Sequence, residues 1–345
     1  MCRFPEAWDK LGWRQKSTPR GYFKIGHLDT GTTDHPVLGG ISGASGEWVD
    51  LASGTDTHED DRDATDPNTD RGLLEMAGHG NRIGSVIYGD LVSYHRGGAP
   101  GAPVVPVRTG NSVVISEALP NAADPDDYCD GMDYAVAQGC AVLNSSMGGP
   151  LLAGGLSRME RSVREAYRAG VILCSAAGNV VETPQNPGRM PASICLAAVN
   201  DHGLPWSGTA HGVEVDISAP GEGIWRADLF EQHGIRRYHF GNSGSGTSYA
   251  TALTTAAACL WLNFRQTEIE ALPARWMRVE AFRHCLRNST DLPAENAFLQ
   301  SSLEPETLAR TPWNANEMGT GILNVEKLLE HPFPDTANLR PAIDL

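Results

Sequence analysis

The chain has 345 residues, of which 41% are hydrophobic and 20% charged, and a formal net charge of −15. This is enough apolar material for one large core, and the acidic balance argues against nucleic acid or an anionic membrane surface as a partner. No apolar run reaches the roughly 20 residues a spanning helix needs, and the start lacks the basic-then-apolar form of a secretory signal.

In chain order, residues 22–28 read as a mostly apolar strand, as expected of a parallel strand covered on both faces. Asp29, Thr30 and Gly31 follow at once. A carboxylate at the carboxyl end of such a strand sits at the functional rim of an open α/β sheet. Standing alone, it reads as an Asx-turn that ends the strand. Residues 56–70 then carry seven acids and one arginine. They read first as a solvated acidic loop. The alternative is a calcium loop using Asp60, Asp61, Asp63 and Asp66.

His79 lies between Gly78 and Gly80, where the backbone can approach an imidazole closely. Ile83, Val86 and Ile87 follow on one side of a helix that packs on a sheet. The spacing of Leu156, Met159, Val163, Ala166 and Tyr167 predicts a second helix over 156–169. Ser157 and Glu160 read as its capping box and Gly170 as its stop. A buried strand over 171–177 ends in Gly178 and Asn179. An asparagine amide can donate to an oxyanion without a buried counter-ion; the plainer reading is a Gly-Asn turn.

Gly244-Ser-Gly-Thr-Ser-Tyr-Ala250 places Ser248 behind small turn residues and at the head of an apolar helix running to Trp261. Its N–H lies at the positive end of a helix dipole, where negative charge is stabilised. Alone it would read as an N-cap. Strand, helix and strand in this order imply a parallel sheet with right-handed crossovers. One domain over 1–330 is expected, with 287–317 as a surface insertion and 331–345 as an extended C-terminal arm. Seven cysteines, odd in number and unpaired in spacing, argue against a disulfide framework or a zinc site and favour an intracellular setting.

Asp29-Thr-Gly31, Gly78-His-Gly80, Ala176-Ala-Gly-Asn179 and Gly246-Thr-Ser248 resemble the aspartate, histidine, oxyanion and serine motifs of the subtilisin-like serine proteases, the subtilases. Their order along the chain is that of the family. Pro5–Asp9, 98–108, Leu143–Pro150, Asp216–Gly221 and Gly319–Asn324 are similar to further family segments, so the resemblance spans residues 5–330.

The resemblance implies a three-layer α/β/α fold with a mostly parallel, doubly wound sheet. It implies a serine endopeptidase with Ser248 as nucleophile, His79 as base and Asp29 as its orienting carboxylate. Asn179 and the Ser248 N–H would form the oxyanion hole. No metal is required for any step, and calcium is possible. The partner would be a protein or peptide substrate. An extended peptide would pair with the edge at Ser146, Met147 and Gly148, with Arg108–Ser112 opposite. Asn81 and Arg82 stand where the family shows threonine and a second histidine, Ala252 replaces a proline, and Tyr249 replaces a methionine. The related sedolisins use glutamate for His79 and aspartate for Asn179, which argues against that type. A peptide-binding pseudoprotease, or a protease held idle until a regulatory partner opens the cleft, is the alternative. The absence of a signal or propeptide and the odd cysteine count favour the cytoplasm over secretion.

Overall fold

A computed structural model describes residues 2–14, 21, 23–39, 48–68, 74–91, 94–232, 235–293 and 313–345. Tyr22, Asp70 and residues 294–312 of the expected insertion lie outside them. The strands are β1 Lys24–Asp29, β2 Thr55–Asp56, β3 Asp90–Leu91, β4 His95–Arg96, β5 Val104–Arg108, β6 Cys140–Ser145, β7 Ile172–Ala176, β8 Ile194–Val199, β9 Ile217–Pro220, β10 Ile224–Gln232 and β11 Ile235–Gly244. Seven of them form one sheet in the order β2-β5-β1-β6-β7-β8-β9, every neighbour parallel. β1, β5, β6, β7 and β8 are buried along almost their whole length, which is why their sequences are near-continuous apolar runs rather than alternating ones.

β1 sits between β5 and β6, so the chain first builds outward on one side of it and then on the other. This reversal creates a switch point at the carboxyl end of β1, where open α/β sheets bind ligands. Asp29 is the last residue of that strand, as expected.

The principal helices are α1 Phe4–Leu11, α2 His79–Tyr88, α3 Pro125–Ala137, α4 Ala153–Arg168, α5 Thr247–Phe264, α6 Gln266–Glu270 and α7 Met277–Arg287. The strands divide them into two layers. Gly26 on β1 faces Leu143 and Ala135 of α3. His27, the next residue, reaches Gly80 of α2, and Asn144, next to Leu143, bonds Thr255 of α5. Successive strand residues point to opposite faces, so α3 covers one face and α2 with α5 the other. This is the expected three-layer arrangement. α5 is buried on nearly every side, and its small and apolar residues let it lie across β6 to β9.

The expected capping box does not form. α4 begins at Ala153, three residues before the expected start at Leu156, and the Ser157 hydroxyl donates within the helix to Ala153 O at 3.0 Å. Its first N–H groups are met by a distant carboxylate: Glu117 accepts from Leu152 N at 3.0 Å and from Gly155 N at 2.9 Å. A side chain from another loop thus does the work of a local cap.

The C-terminal arm docks against the body. The Phe333 ring stacks on Trp261 at 5.9 Å, Arg265 donates to the carbonyls of Leu329 and His331, and Ala342 N donates to the Tyr167 hydroxyl. Trp261 stands 13 residues on from Ser248 in α5, about 20 Å along the helix. The β10–β11 hairpin, absent from the sequence reading, packs on α2 through Ala227 N, which donates to Ser85 Oγ at 3.0 Å.

Candidate active site

Asp29 leaves β1 fully buried, and Thr30 N donates to its Oδ1 at 2.8 Å. α2 starts at His79 and packs directly on the backbone after Asp29. A Cβ on Gly80 would stand 2.0 Å from Gly31 O, so only glycine allows this approach. His79 Nδ1 is brought to 2.7 Å from Asp29 Oδ1, both side chains buried. Burial opposes ionisation of Asp29, but the adjacent imidazole and the Thr30 N–H outweigh it and hold the carboxyl below its ordinary range. An ionised Asp29 accepts a hydrogen bond from Nδ1–H and so holds the proton on that nitrogen, which leaves the lone pair of the neutral ring on Nε2.

His27 was missed in the sequence because it reads as one residue of an apolar strand. Its Nε2 lies 3.1 Å from Gly80 O and 3.9 Å from Asp29 Oδ2. Burial pushes its pKa down, so it stays neutral and donates to Gly80 O. The Asp29–His79 pair therefore has no second cation beside it from this ring.

Ser248 is the second residue of α5 and is 5% exposed. Its hydroxyl donates to Ser146 O at 3.2 Å, and the Ser146 hydroxyl donates back to Ser248 O at 3.1 Å. This reciprocal pair ties the head of α5 to the segment that follows β6. Asn144 steadies the tie, donating to Ser146 Oγ and accepting from Thr255 Oγ1, each at 3.1 Å.

Asn179 comes three residues beyond Ala176, the last residue of β7, and is exposed. Its Oδ1 accepts from Thr247 N and from the Thr247 hydroxyl, both at 2.9 Å. A backbone N–H only donates, so this partner assigns the side-chain oxygen to Thr247 and leaves the amide NH₂ to donate elsewhere. Ser248 and Asn179 border a cavity of about 150 Å³ with mostly apolar walls, shared with Val113, Met147, Gly148 and Val181.

Gly148 N donates to Val113 O at 2.9 Å, and Gly148 O accepts from Ile115 N at 3.2 Å. The segment that pairs directly with Gly148 is therefore 113–115. Arg108 is buried and bonded to Asp56 and Glu59 of the acidic loop and to Asn111.

The calcium candidates Asp60, Asp61, Asp63 and Asp66 all lie in that loop. Asp60, Asp61 and Asp63 are exposed, and Asp61 and Asp63 accept from the N–H groups of Asp63 and Thr65. Asp66 is buried and bonded to Thr30 and Gly78. Among the described residues, no three carboxylate, histidine or cysteine side chains converge on a cation position. The departures from the family pattern are structural. Asn81 Oδ1 accepts from Thr33 N at 2.7 Å, and Arg82 pairs with Asp228 of the hairpin at 3.4 Å.

The geometry agrees with the comparisons. The profile of the Subtilase family matches residues 21–315. Subtilisin DY of Bacillus licheniformis is 27% identical over 250 residues, covering 70% of this chain and 76% of that protein. Thermitase of Thermoactinomyces vulgaris is 27% identical, covering 74% and 78%. Among solved structures, the prenylagaramide maturation protease PagA superposes with a TM-score of 0.65 at 20% identity, covering 96% of this chain and 98% of that one. A protease from Pseudoalteromonas arctica PAMC 21717 gives 0.69 at 20% identity, covering 95% and 93%. With most of its length matched by the family and the family's fold around it, the chain belongs to the subtilases and is a serine endopeptidase, a hydrolase of peptide bonds.

Proposed function

We propose that hydrolysis proceeds through Ser248, His79 and Asp29, with Asn179 and the Ser248 N–H holding the oxyanion. The observation that carries this reading is the 2.7 Å bond between His79 Nδ1 and Asp29. The Ser248 hydroxyl leaves Ser146 O, gives its proton to His79 Nε2 and attacks the scissile carbonyl. The imidazolium is stabilised by Asp29 and returns the proton to the leaving amine. Water then repeats the sequence on the acyl-enzyme. The oxyanion faces the Ser248 N–H at the positive end of α5 and the free NH₂ of Asn179.

Ser146, Met147 and Gly148 bound the peptide on one side, and the apolar cavity beside them takes one side chain next to the cut. An apolar residue there is supported by the walls of that cavity. PagA is named a maturation protease, which makes a peptide precursor a reasonable substrate class for this chain. An intracellular setting is supported by seven buried, unpaired cysteines, and no described helix is long and apolar enough to cross a membrane.

A protease held idle until its cleft is opened is the second reading. It is favoured by the resting bond of Ser248 to Ser146 O and by the pairing of Gly148 with 113–115. Intact-mass analysis after fluorophosphonate treatment tests both. A single adduct on Ser248, strongly slowed in His79→Ala, supports the open triad. A folded protein that takes no adduct sinks it in favour of the idle state.

A further inference from the structure

We propose that Asp66 is a positioning residue for the Asp29–His79 pair, tying the backbone on both sides of His79 to the end of β1. The proposal rests on the reading of that pair as catalytic. Asp66 comes from the acidic loop, yet it is 1% exposed. Its Oδ2 accepts from Gly78 N at 2.8 Å and from the Thr30 hydroxyl at 2.6 Å. The Thr30 oxygen in turn accepts from Gly80 N at 3.1 Å, while Thr30 N holds Asp29 Oδ1 at 2.8 Å. The residue before His79 is thus held by Asp66 directly, and the residue after it through Thr30. With the 2.7 Å bond of His79 to Asp29, the contacts close a ring: Asp29, Thr30, Asp66, Gly78, His79.

The ring is braced from outside. Asp66 Oδ1 accepts from Asn68 N at 2.7 Å, its carbonyl accepts from Thr33 Oγ1 at 3.0 Å, and Ala64 O accepts from Thr32 N at 2.9 Å. A Cβ on Gly31 would lie 2.6 Å from Asp66 N and 2.8 Å from Ala64 O, so the loop lies on bare backbone there. Burial, with the nearby Asp29 charge, holds the Asp66 carboxyl above its ordinary range, and the donors from Thr30, Asn68 and Gly78 only partly oppose this. A buried carboxylate surrounded by donors is stiff, and stiffness is what an imidazole needs to hold its ring plane through two proton transfers.

The test uses full-length protein with Asp66→Ala, Asp66→Asn, Thr30→Val and Thr30→Ser. It reads kcat and KM on a peptide, melting temperature, and the low-field proton resonance of His79 Nδ1. Asp66→Ala is expected to lower kcat about 10- to 100-fold with KM within about threefold, and to broaden or shift the proton resonance. Asparagine can turn its amide oxygen toward Gly78 and Thr30, so Asp66→Asn is expected to recover most of both. Thr30→Val should reproduce part of the loss and Thr30→Ser restore it. Unchanged kcat and proton resonance in Asp66→Ala, or Asp66→Asn as impaired as Asp66→Ala, overturns the proposal. If Asp66→Ala does not fold, the Thr30 pair decides: wild-type kcat and a sharp resonance in Thr30→Val overturn it. A wild type that takes no fluorophosphonate on Ser248 fails the catalytic reading, and the proton resonance still judges the ring.

Discussion

The side-chain oxygen of Asn179 is held twice by Thr247, through the backbone N–H and through the hydroxyl, each at 2.9 Å. The residue before the proposed nucleophile therefore sets which end of the amide faces the substrate. Asn179→Ala is expected to lower kcat by about 10²- to 10³-fold with little change in KM, because the donor acts on charge that develops only in the transition state. Asn179→Asp should be no better, since a carboxylate cannot donate. Thr247→Val removes one of the two holds and should cost about tenfold or less. Steady-state kinetics on one peptide distinguishes the three.

Asp29→Asn should reduce kcat by about 10⁴-fold, the amide favouring the wrong tautomer of His79. The same substitution has a stability signature. Asp29 is held below the ordinary carboxylate range by His79 and Thr30 against the opposing effect of burial. Its contribution is present above the unfolded pKa of about 4 and is lost as pH falls through the lower folded value. Melting temperature from pH 6 to pH 2 should therefore fall less steeply in Asp29→Asn than in wild type. Equal slopes would contradict the ionised, paired carboxylate.

All seven cysteines are buried and free. Burial pushes the thiols of Cys2, Cys129, Cys140, Cys174 and Cys259 up to about 12 and that of Cys285 to about 11, with Cys195 raised well above its usual value. Thiolate is the reactive form. Native protein at pH 8 should leave all seven unmodified by an aromatic disulfide reagent, and denatured protein should release seven equivalents. Rapid modification of even one native thiol would show a more open core.

The arm is a brace rather than a plug. Phe333→Ala removes the stack on Trp261 and is expected to cost about 2 kcal/mol for a half-buried ring. Activity at 25 °C should stay at the wild-type level, because Trp261 lies far along α5 from Ser248. A rise in activity on this substitution would instead place the arm in the cleft.

The four proposed site residues were readable because each stands where local chemistry announces it. Asp29 ends an apolar run, His79 is flanked by glycines, Asn179 follows a buried strand, and Ser248 heads an apolar helix. What stayed hidden depends on partners far apart in sequence. Glu117 caps α4 from 35 residues away, and no pattern near Leu152 points to it. Glu117→Ala should cost about 1 kcal/mol, the usual worth of a cap, seen as a lower denaturation midpoint. Asp66 looks like its acidic neighbours until folding buries it against Thr30 and Gly78. The hairpin β10–β11 has one strand edge toward α2 and mixed polar and apolar residues, so neither strand shows a clean period of two.

The pairing of Gly148 with 113–115 bears on how choosy the enzyme is. A protease that grips its substrate mainly by main-chain bonds treats most sequences alike, since every peptide offers the same N–H and C=O groups. Here the N–H and C=O of Gly148 are already committed within the chain. On the proposed placement of the peptide beside Ser146–Gly148, more of its affinity must come from side chains seated in the apolar cavity. On that proposed placement, discrimination between sequences rises accordingly, as in a protease that trims a few chosen proteins rather than one that digests whatever it meets.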